Sequence, residues 1–228
     1  MPLRWIRRPL QLAMLKEPAY RFLFEPAPPD EAVSIDCETT GLDRRKDDIV
    51  TVAAIRIRGA RILTSERFEA KLRPEARMKP DAIKVHRLRE ADVAEGRAIR
   101  DVLPDLLKFI GPRPLVGYYL EFDVAMLNRH VRRLIGVGLP NPRIETSALY
   151  YERKYGDAPP GAQVDLSFAS LLADLDLPML DQHDAYSDAL MTAMIYLALR
   201  DLKDRNVRIA RQRFEGARHF EAGRTAPD

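Results

Sequence analysis

The sequence predicts an α/β fold in which helices cover a mixed sheet. The first half of the chain contains three segments with the alternation and β-branched content of strands, over 32–36, 49–58 and 61–72. Most later segments have helical periodicity, with a short apolar stretch among them. Strands first, and then helices interleaved with one or two strands, favour this architecture over a helical bundle or a β-sandwich.

The individual elements follow from local signals along the chain. The turn Arg58-Gly-Ala-Arg61 joins the second and third strands into a hairpin. A further short strand is predicted over 114–119, where apolar residues follow a Gly-Pro turn. Apolar residues recur at helical spacing over 80–93, 98–110, about 122–135, 145–155, 166–175 and 185 to about 203. The last of these predicted helices is the longest and most regular.

The composition excludes several classes of protein. The chain has 228 residues, of which 46% are hydrophobic and 31% charged, and no apolar run approaches the roughly 18 residues of a membrane span. The single cysteine, Cys37, excludes an intramolecular disulfide and a multi-cysteine zinc site. Charged residues interrupt the apolar residues near the N-terminus, so no secretory signal is expected. We therefore predict a cytoplasmic protein without a membrane span.

Charge and proline content divide the chain into three parts. Residues 25–30 contain three prolines, which cannot continue a helix or a central strand and favour an extended spacer. The basic excess lies at the two ends of the chain, whereas the body is net acidic. We predict a basic extension with its linker over 1–30, a folded domain over 31–205 and a polar tail over 206–228. For an amphipathic helix within 3–24 we favour docking on its own domain over a partner or an anionic surface.

Two acidic residues lie two positions apart at the end of the first predicted strand. Asp36 and Glu38 would project from one face, while Ile35 and Cys37 project from the other. Adjacent carboxylates raise each other's pKa unless a cation such as Mg²⁺ or Mn²⁺ neutralises them. Taken alone, such a pair is more often the polar end of a strand.

A third carboxylate, Asp123, opens a predicted helix after the apolar stretch over 114–119. An acid at this point usually caps the helix N-terminus, which is the simpler interpretation. It would also lie near a strand end, where the sites of α/β sheets gather.

A fourth carboxylate, Asp188, lies near the start of the last helix. It shares a helical face with Met191, Ile195 and Leu199, so a charge lies on a stripe that should be buried. Such a charge needs a partner or a metal. His183 precedes the helix and can turn towards whatever Asp188 binds, although a solvated loop histidine is an equal alternative.

Taken together, these residues indicate metal-dependent hydrolysis. Asp36, Glu38, Asp123 and Asp188 supply four carboxylates from three segments without a matching set of basic partners. Two divalent cations can activate a water and stabilise the leaving oxygen of a phosphodiester. A neutral imidazole such as that of His183 can take the proton of the attacking water.

The three motifs also have a specific order and spacing. They are Asp36-Cys-Glu-Thr-Thr-Gly41, Val116-Gly-Tyr-Tyr-Leu-Glu-Phe-Asp123, and His183 followed five residues later by Asp188. In this they resemble the DEDDh (DnaQ-like) 3′-to-5′ exonucleases, which include the proofreading subunits of bacterial replicative DNA polymerase and free-standing homologues. The resemblance extends over about 35–199. It implies a ribonuclease H-like fold, with a mixed five-stranded sheet flanked by helices, and an exonuclease domain over 31–205.

The resemblance also implies roles for the motif residues. The four carboxylates would bind two Mg²⁺ or Mn²⁺ ions, and His183 would be the general base. The partner would be a nucleic-acid 3′ end, with single-stranded DNA favoured and a nucleoside 5′-monophosphate as product. A DNA polymerase subunit is a further partner that the family implies.

The remaining substrate-binding positions come from the same resemblance. Thr39, Thr40 and Gly41 match the family's turn against the terminal nucleotide, and His86 matches a histidine near the substrate. A surface position on a helix is an equal alternative for His86.

The chain departs from the family pattern before Asp123. Tyr118, Tyr119 and Leu120 stand where many members have an asparagine or a histidine-asparagine pair. Tyr119 and Phe122 are therefore expected to stack on bases, with core packing as the commoner use of such aromatic residues. Glu145 stands where relatives often have aspartate. All five catalytic positions are present, which favours an active enzyme over a non-catalytic nucleic-acid-binding or adaptor module and over a purely structural domain.

Overall fold

The computed structural model describes residues 3–211, with side chains from Arg8 onward. The strands are β1 (Glu31–Thr39), β2 (Ile49–Arg58), β3 (Arg61–Lys71), β4 (Leu115–Gly117) and β5 (Arg143–Glu145). The helices are α1 (Leu3–Ala13), α2 (Pro80–His86), α3 (Glu90–Val93), α4 (Ile99–Ile110), α5 (Leu120–Ile135), α6 (Thr146–Tyr155), α7 (Phe168–Asp174) and α8 (Ala185–Asp204). No helix among these residues is both long and apolar enough to cross a membrane. Of the predicted polar tail, residues 212–228 lie outside the described part.

The strands form one mixed sheet in the order β3-β2-β1-β4-β5. The first three strands pair antiparallel, whereas β4 and β5 pair parallel to β1 and to each other. This confirms the predicted mixed five-stranded sheet flanked by helices. Because β1 is the central strand, its backbone is paired on both sides and its side chains are covered on both faces.

The two faces of β1 pack against different helices. Val33, Ile35 and Cys37 belong to the main hydrophobic core, together with apolar residues of α4 and α5. On the opposite face, Ala32 packs against α8, and the hydroxyl of Ser34 donates to the carbonyl oxygen of Ala189 at 2.7 Å. Since side chains alternate along a strand, Asp36 and Glu38 continue the face that α8 covers.

The helix predicted over 80–93 is interrupted, and this prediction was wrong. Arg87 adopts a left-handed conformation with φ of 60° and ends α2, so that α3 starts afresh at Glu90. The N–H of Leu88 donates to Nδ1 of His86 at 3.1 Å instead of continuing the helical ladder. The residues at the break are ordinary helix formers, so local propensity gave no signal of it.

Two further differences concern short elements. The strand predicted over 114–119 ends at Gly117, because Tyr119 has a φ of 54° and α5 begins at Leu120. The strand β5 and a 3₁₀ helix over Pro18–Phe24 were not predicted. Elements this short offer too few residues for a period to be recognised.

The N-terminal segment contacts the body of the protein. Leu23 is fully buried within the main core. The N–H of Lys16 donates to the carbonyl oxygen of Ile135 at 2.9 Å, and Arg8 donates to the carbonyl oxygen of Glu25 at 2.9 Å. Residues 15–24 therefore lie on their own domain, while the division of the chain at residue 30 stays a prediction.

The loop between β1 and β2, residues 40–48, is fixed by Asp48. The N–H of Asp48 donates to Thr40 Oγ1 at 3.0 Å, and Thr40 donates back to the carbonyl oxygen of Asp48 at 2.9 Å. The Asp48 carboxylate accepts the N–H groups of Glu75 and Ala76 and the guanidinium of Arg129, at 2.9, 2.8 and 2.7 Å. Burial raises the pKa of Asp48, but these hydrogen bonds outweigh it and hold the pKa below its usual value.

Replacing Asp48 by asparagine should destabilise the protein. The amide turns donors towards donors, so we expect a loss of about 1–3 kcal/mol in the free energy of unfolding at pH 7. Because the pKa of Asp48 is lowered by folding, its contribution is present above about pH 3.9 and is lost as the pH falls through the folded-state pKa. Urea unfolding of the wild type and Asp48→Asn across pH 3–8 measures this. Asp81→Asn, at an exposed position, is the matched control. A difference that persists unchanged in acid would contradict the assignment.

Candidate active site

The end of β1 presents two of the predicted carboxylates. The pairing of β1 with β4 extends only to Ser34, whereas its pairing with β2 continues through Asp36 and Glu38 to Thr39. The last residues of β1 therefore project beyond the end of β4. Asp36 and Glu38 are half-buried there, and Cys37 is buried on the opposite face.

Asp123 approaches the same strand end from α5. It lies in the first turn of the helix with only 4% of its surface exposed, which does not fit the simpler interpretation as an exposed cap. The helix N-terminus is instead capped by Glu145, whose two carboxylate oxygens accept the N–H groups of Tyr119 and Leu120 at 3.0 and 2.9 Å. Glu145 thus leaves the Asp123 carboxylate to the site, a role that the sequence indicated only as a change at a helix cap.

Asp188 and His183 complete the cluster from the start of α8. Asp184 caps this helix by accepting the N–H of Ser187 at 3.0 Å. One oxygen of Asp188 accepts the N–H of His183 at 3.0 Å, and the other, Oδ1, is buried without a hydrogen-bond partner in the described residues. The side chains of Glu38, His183 and Asp188 can bring one ligand atom each within 4.8 Å of one another. His183 itself is exposed and has a φ of 64°.

The carboxylates repel one another strongly. Burial, followed by the charges of Asp123, Glu38 and Asp188, raises the pKa of Asp36 well above its usual value. Burial and the charges of Asp188 and Asp184 raise the pKa of Glu38 to about 7. The pKa of Asp123 is also raised, mainly by burial. These couplings show that the side chains predicted from three separate segments meet at one place.

Burial also dominates at Asp188. It raises the pKa of this carboxyl to about 6, even though hydrogen bonding from His183 and the histidine charge oppose the shift. A charged group that lacks full compensation is costly in a partly buried position.

The residues of this cluster fit a hard divalent cation. Four carboxylates supply the oxygen ligands that Mg²⁺ and Mn²⁺ prefer. The buried, unpartnered Oδ1 of Asp188 is an available ligand atom of this kind. Asp36, Glu38, Asp123 and Asp188 would hold the metal.

A cavity of about 340 Å³ opens beside Glu38. Thr39, Gly41 and His86 line it as predicted for the substrate side, and so do Leu42 and Val85, which sequence reasoning did not identify. Leu42 is 83% exposed, so an apolar side chain stands at the rim of the cavity. An exposed leucine after the Thr-Thr-Gly turn is the signal that was available for it.

The turn itself is tightly packed. Thr40 is fully buried and belongs to the loop contacts around Asp48, so it does not line the cavity. A Cβ on Gly41 would lie 2.5 Å from an oxygen of Asp47 and 2.6 Å from the Lys79 side chain, which requires glycine at this position. The carboxylate of Asp47 also accepts the Lys79 ammonium at 2.6 Å, and this ion pair closes the loop against the segment before α2.

His86 is a buried residue, so the alternative of a surface histidine was wrong. It is 6% exposed, and its Nε2 lies 3.2 Å from the carbonyl oxygen of Thr39. Because Nδ1 accepts the N–H of Leu88, the neutral ring carries its proton on Nε2 and donates it to Thr39. Burial lowers the pKa of His86. His86 thereby fixes the end of β1 and forms part of the cavity wall.

The three aromatic residues before Asp123 have different surroundings. The Tyr118 hydroxyl donates to the carbonyl oxygen of Leu166 at 2.8 Å, and its ring packs on Phe168 at 4.8 Å, so Tyr118 is a packing residue. Tyr119 is 60% exposed, with its ring 4.5 Å from that of Tyr118. Phe122 is half-buried, and the Arg44 guanidinium lies 5.9 Å from its ring centre.

Known proteins share this sequence pattern. The exonuclease family model (RNase_T) matches residues 33–196. DNA polymerase III subunit epsilon of Aquifex aeolicus is 28% identical over 167 residues, which cover 73% of this chain and 79% of that subunit. The PolC-type DNA polymerase III of Thermotoga maritima is 27% identical over 169 residues, which cover 72% of this chain and 11% of that polymerase. The chain thus spans about a tenth of the length of its PolC-type relative.

The fold has a solved counterpart with related sequence. Exonuclease X, determined in complex with 5′-overhanging duplex DNA, superposes with a TM-score of 0.57 and 26% sequence identity. The match covers 76% of this chain and 93% of that one. Because the family match includes most of the domain and the sheet has the expected order, the chain belongs to the DnaQ-like 3′-to-5′ exonuclease family.

Proposed function

We propose that this protein is a metal-dependent exonuclease that removes nucleoside 5′-monophosphates from the 3′ ends of nucleic acid. The observation that carries the proposal is the convergence of four carboxylates and an exposed histidine at the end of β1. Four mutually repelling acids are stable in one place only when a cation neutralises them. None of the five residues is missing, which favours catalysis over the alternative of a non-catalytic nucleic-acid-binding or adaptor module.

Each residue of the site has a chemical task in this proposal. Two Mg²⁺ or Mn²⁺ ions, held by Asp36, Glu38, Asp123 and Asp188, would supply charge stabilisation to the phosphodiester oxygens. His183 takes the proton of the attacking water, because its ring is exposed and reaches the side of the cluster formed by Glu38 and Asp188. The O3′ of the preceding nucleotide leaves, and the released nucleotide keeps its 5′-phosphate.

The surroundings of the site indicate how the substrate lies. The cavity walled by Gly41, Leu42 and His86 adjoins Glu38 and is large enough for one terminal nucleotide. The exposed ring of Tyr119 offers a stacking surface to an unpaired base, which favours single-stranded DNA as the substrate. The resemblance to a polymerase III epsilon subunit supports a DNA polymerase subunit as a further partner.

The first prediction concerns Asp36. Asp36→Asn should reduce the exonuclease rate by at least about 10³-fold, since a metal ligand is lost. The assay follows 5′-labelled single-stranded DNA and RNA with Mg²⁺, Mn²⁺ or chelator, and the wild type should give a metal-dependent ladder that shortens from the 3′ end. In chelator, the variant should melt a few degrees above the wild type, because a repelled charge has been removed; about 1 kcal/mol shifts Tm by about 2–4 °C at this size. An active Asp36→Asn protein would refute the assignment.

The second prediction concerns the pH dependence of stability. The pKa values of Glu38 and Asp188 are raised to about 7 and about 6, above the usual 4.3 and 3.9. Acids of this kind stabilise the fold fully below the unfolded-state pKa, and this contribution is lost as the pH rises through the folded-state pKa. The Tm in chelator should therefore fall between about pH 4 and pH 7, and Mg²⁺ should reduce the fall. Thermal unfolding across pH 4–9 measures it, with Glu38→Gln as the less pH-sensitive control. Identical profiles with and without Mg²⁺ would contradict metal binding here.

The third prediction separates two possible roles of His183. As a general base, His183→Asn should lower kcat by about 10²- to 10⁴-fold and leave the Mg²⁺-induced rise in Tm unchanged. Steady-state kinetics and thermal unfolding of the same protein samples measure both quantities. If the rise in Tm disappears as well, His183 is a metal ligand and not the base.

A further inference from the structure

A second cavity, of about 380 Å³, lies between the segment after β3, the start of α4 and the middle of α5. It contains none of the five residues of the carboxylate cluster. Its wall includes four arginines, Arg73, Arg100, Arg129 and Arg133, against two acids. We call it the arginine groove. Its excess of positive charge contrasts with the acidic site.

The floor of the arginine groove is apolar. Leu103 is buried there, and Ile99 and Leu134 are half-buried. A cationic rim above an apolar floor suits a ligand that carries both anionic groups and flat or apolar parts. A nucleotide strand is such a ligand, because its phosphates are anionic and its bases and sugars have apolar faces.

The arginines of the groove differ in their partners. Arg129 is held by Asp48 at 2.7 Å and also donates to the carbonyl oxygen of Asp47, so it forms a fixed wall. Arg73 and Arg133 are exposed, and neither forms a side-chain hydrogen bond or an ion pair with any described residue. Their guanidinium groups therefore keep all their donors for a ligand, and guanidinium geometry matches a phosphate.

The field inside the groove is positive. The half-buried His130 has its pKa lowered by burial and then by the charges of Arg129 and Arg133, which exceed the opposing effect of Asp48 and Glu75. The acids on the wall thus do not neutralise the arginines.

The groove adjoins the substrate side of the catalytic site. The loop over 40–48 contributes Gly41 to the cavity beside Glu38 and Asp48 to the arginine groove. Along α5, Arg129 and Arg133 follow Asp123 by about 9 and 15 Å, at about 1.5 Å per residue. Stacked nucleotides are spaced about 3.4 Å apart. These distances correspond to about three to five nucleotides from the cleaved bond.

We propose that the arginine groove binds the phosphate backbone of the substrate strand about three to five nucleotides from its 3′ end. This inference rests on the proposed exonuclease function. A nuclease that cleaves single nucleotides from a polymer must hold the polyanion beyond its catalytic cavity, and α5 connects the two sites directly. The same chemistry would also suit an acidic peptide of a partner protein, which the placement beside the catalytic site makes the weaker choice.

The test compares two double variants that remove equal charge. Arg73→Gln/Arg133→Gln empties the groove of its unpaired guanidinium groups. Arg61→Gln/Arg132→Gln removes two exposed arginines that do not line the groove, one of them adjacent to Arg133 on α5. Each protein is assayed on a 5′-labelled 20-nucleotide DNA strand and on the p-nitrophenyl ester of thymidine 5′-monophosphate, which occupies only the catalytic cavity.

The groove variant should raise KM for the 20-nucleotide strand on the order of tenfold at low salt, with kcat and the kinetics of the ester unchanged. The dependence of log affinity on log salt should fall by about 1.4 for two phosphate contacts on a single strand. The control variant should behave like the wild type. Affinity is measured separately by fluorescence anisotropy in the inactive Asp36→Asn background.

Three results would overturn the proposal. An unchanged KM and salt dependence would exclude strand binding in the groove, as would an equal effect in the control variant. Loss of binding to a poly-glutamate peptide with normal oligonucleotide binding would assign the groove to a protein partner. A wild type that cleaves neither substrate would refute the exonuclease function instead, while the anisotropy measurements would still decide whether the groove binds the strand.

Discussion

Repulsion among four carboxylates at the end of β1 is the constraint on which the rest of this structure depends. Burial and mutual proximity raise the pKa values of Asp36, Glu38 and Asp188, so ionising the cluster opposes folding unless a cation is bound. The stability needed to hold the carboxylates together comes from elsewhere, mainly from the apolar residues that cover β1 on both faces. The site is therefore maintained by the core around it and is completed by a ligand.

The topology explains how residues distant in sequence meet. β1 is the central strand and projects beyond β4, while α5 and α8 both begin at the same end of the sheet. Hydrogen bonds between separate elements hold these starting points. Ser34 connects β1 to α8, and Glu145 caps α5 so that Asp123 turns inward. Each contact fixes a backbone, and the backbone positions a carboxylate to within the tolerance that metal binding requires.

The loop over 40–48 connects the catalytic cavity to the arginine groove. Asp48 holds one end of this loop against Arg129 and the segment after β3, and His86 holds the strand before it through Thr39. One buried carboxylate and one buried imidazole thus stabilise the walls of both cavities. The acidic site and the cationic groove lie on either side of this loop, so a strand that is bound in the groove can deliver its end to the cations.

The sequence predicted the mixed sheet, most of the long helices and the four carboxylates with His183, because periodicity and motif spacing are local properties of the chain. The five catalytic assignments and the substrate-binding residues stay predictions until they are measured. Periodicity did not reveal the break at Arg87, the burial of His86, the cap from Glu145 or the arginine groove. These features depend on contacts between residues far apart in the chain, such as Glu145 with Leu120 and Asp48 with Arg129. Such contacts exist only once the sheet has brought the segments together, and no local pattern encodes them.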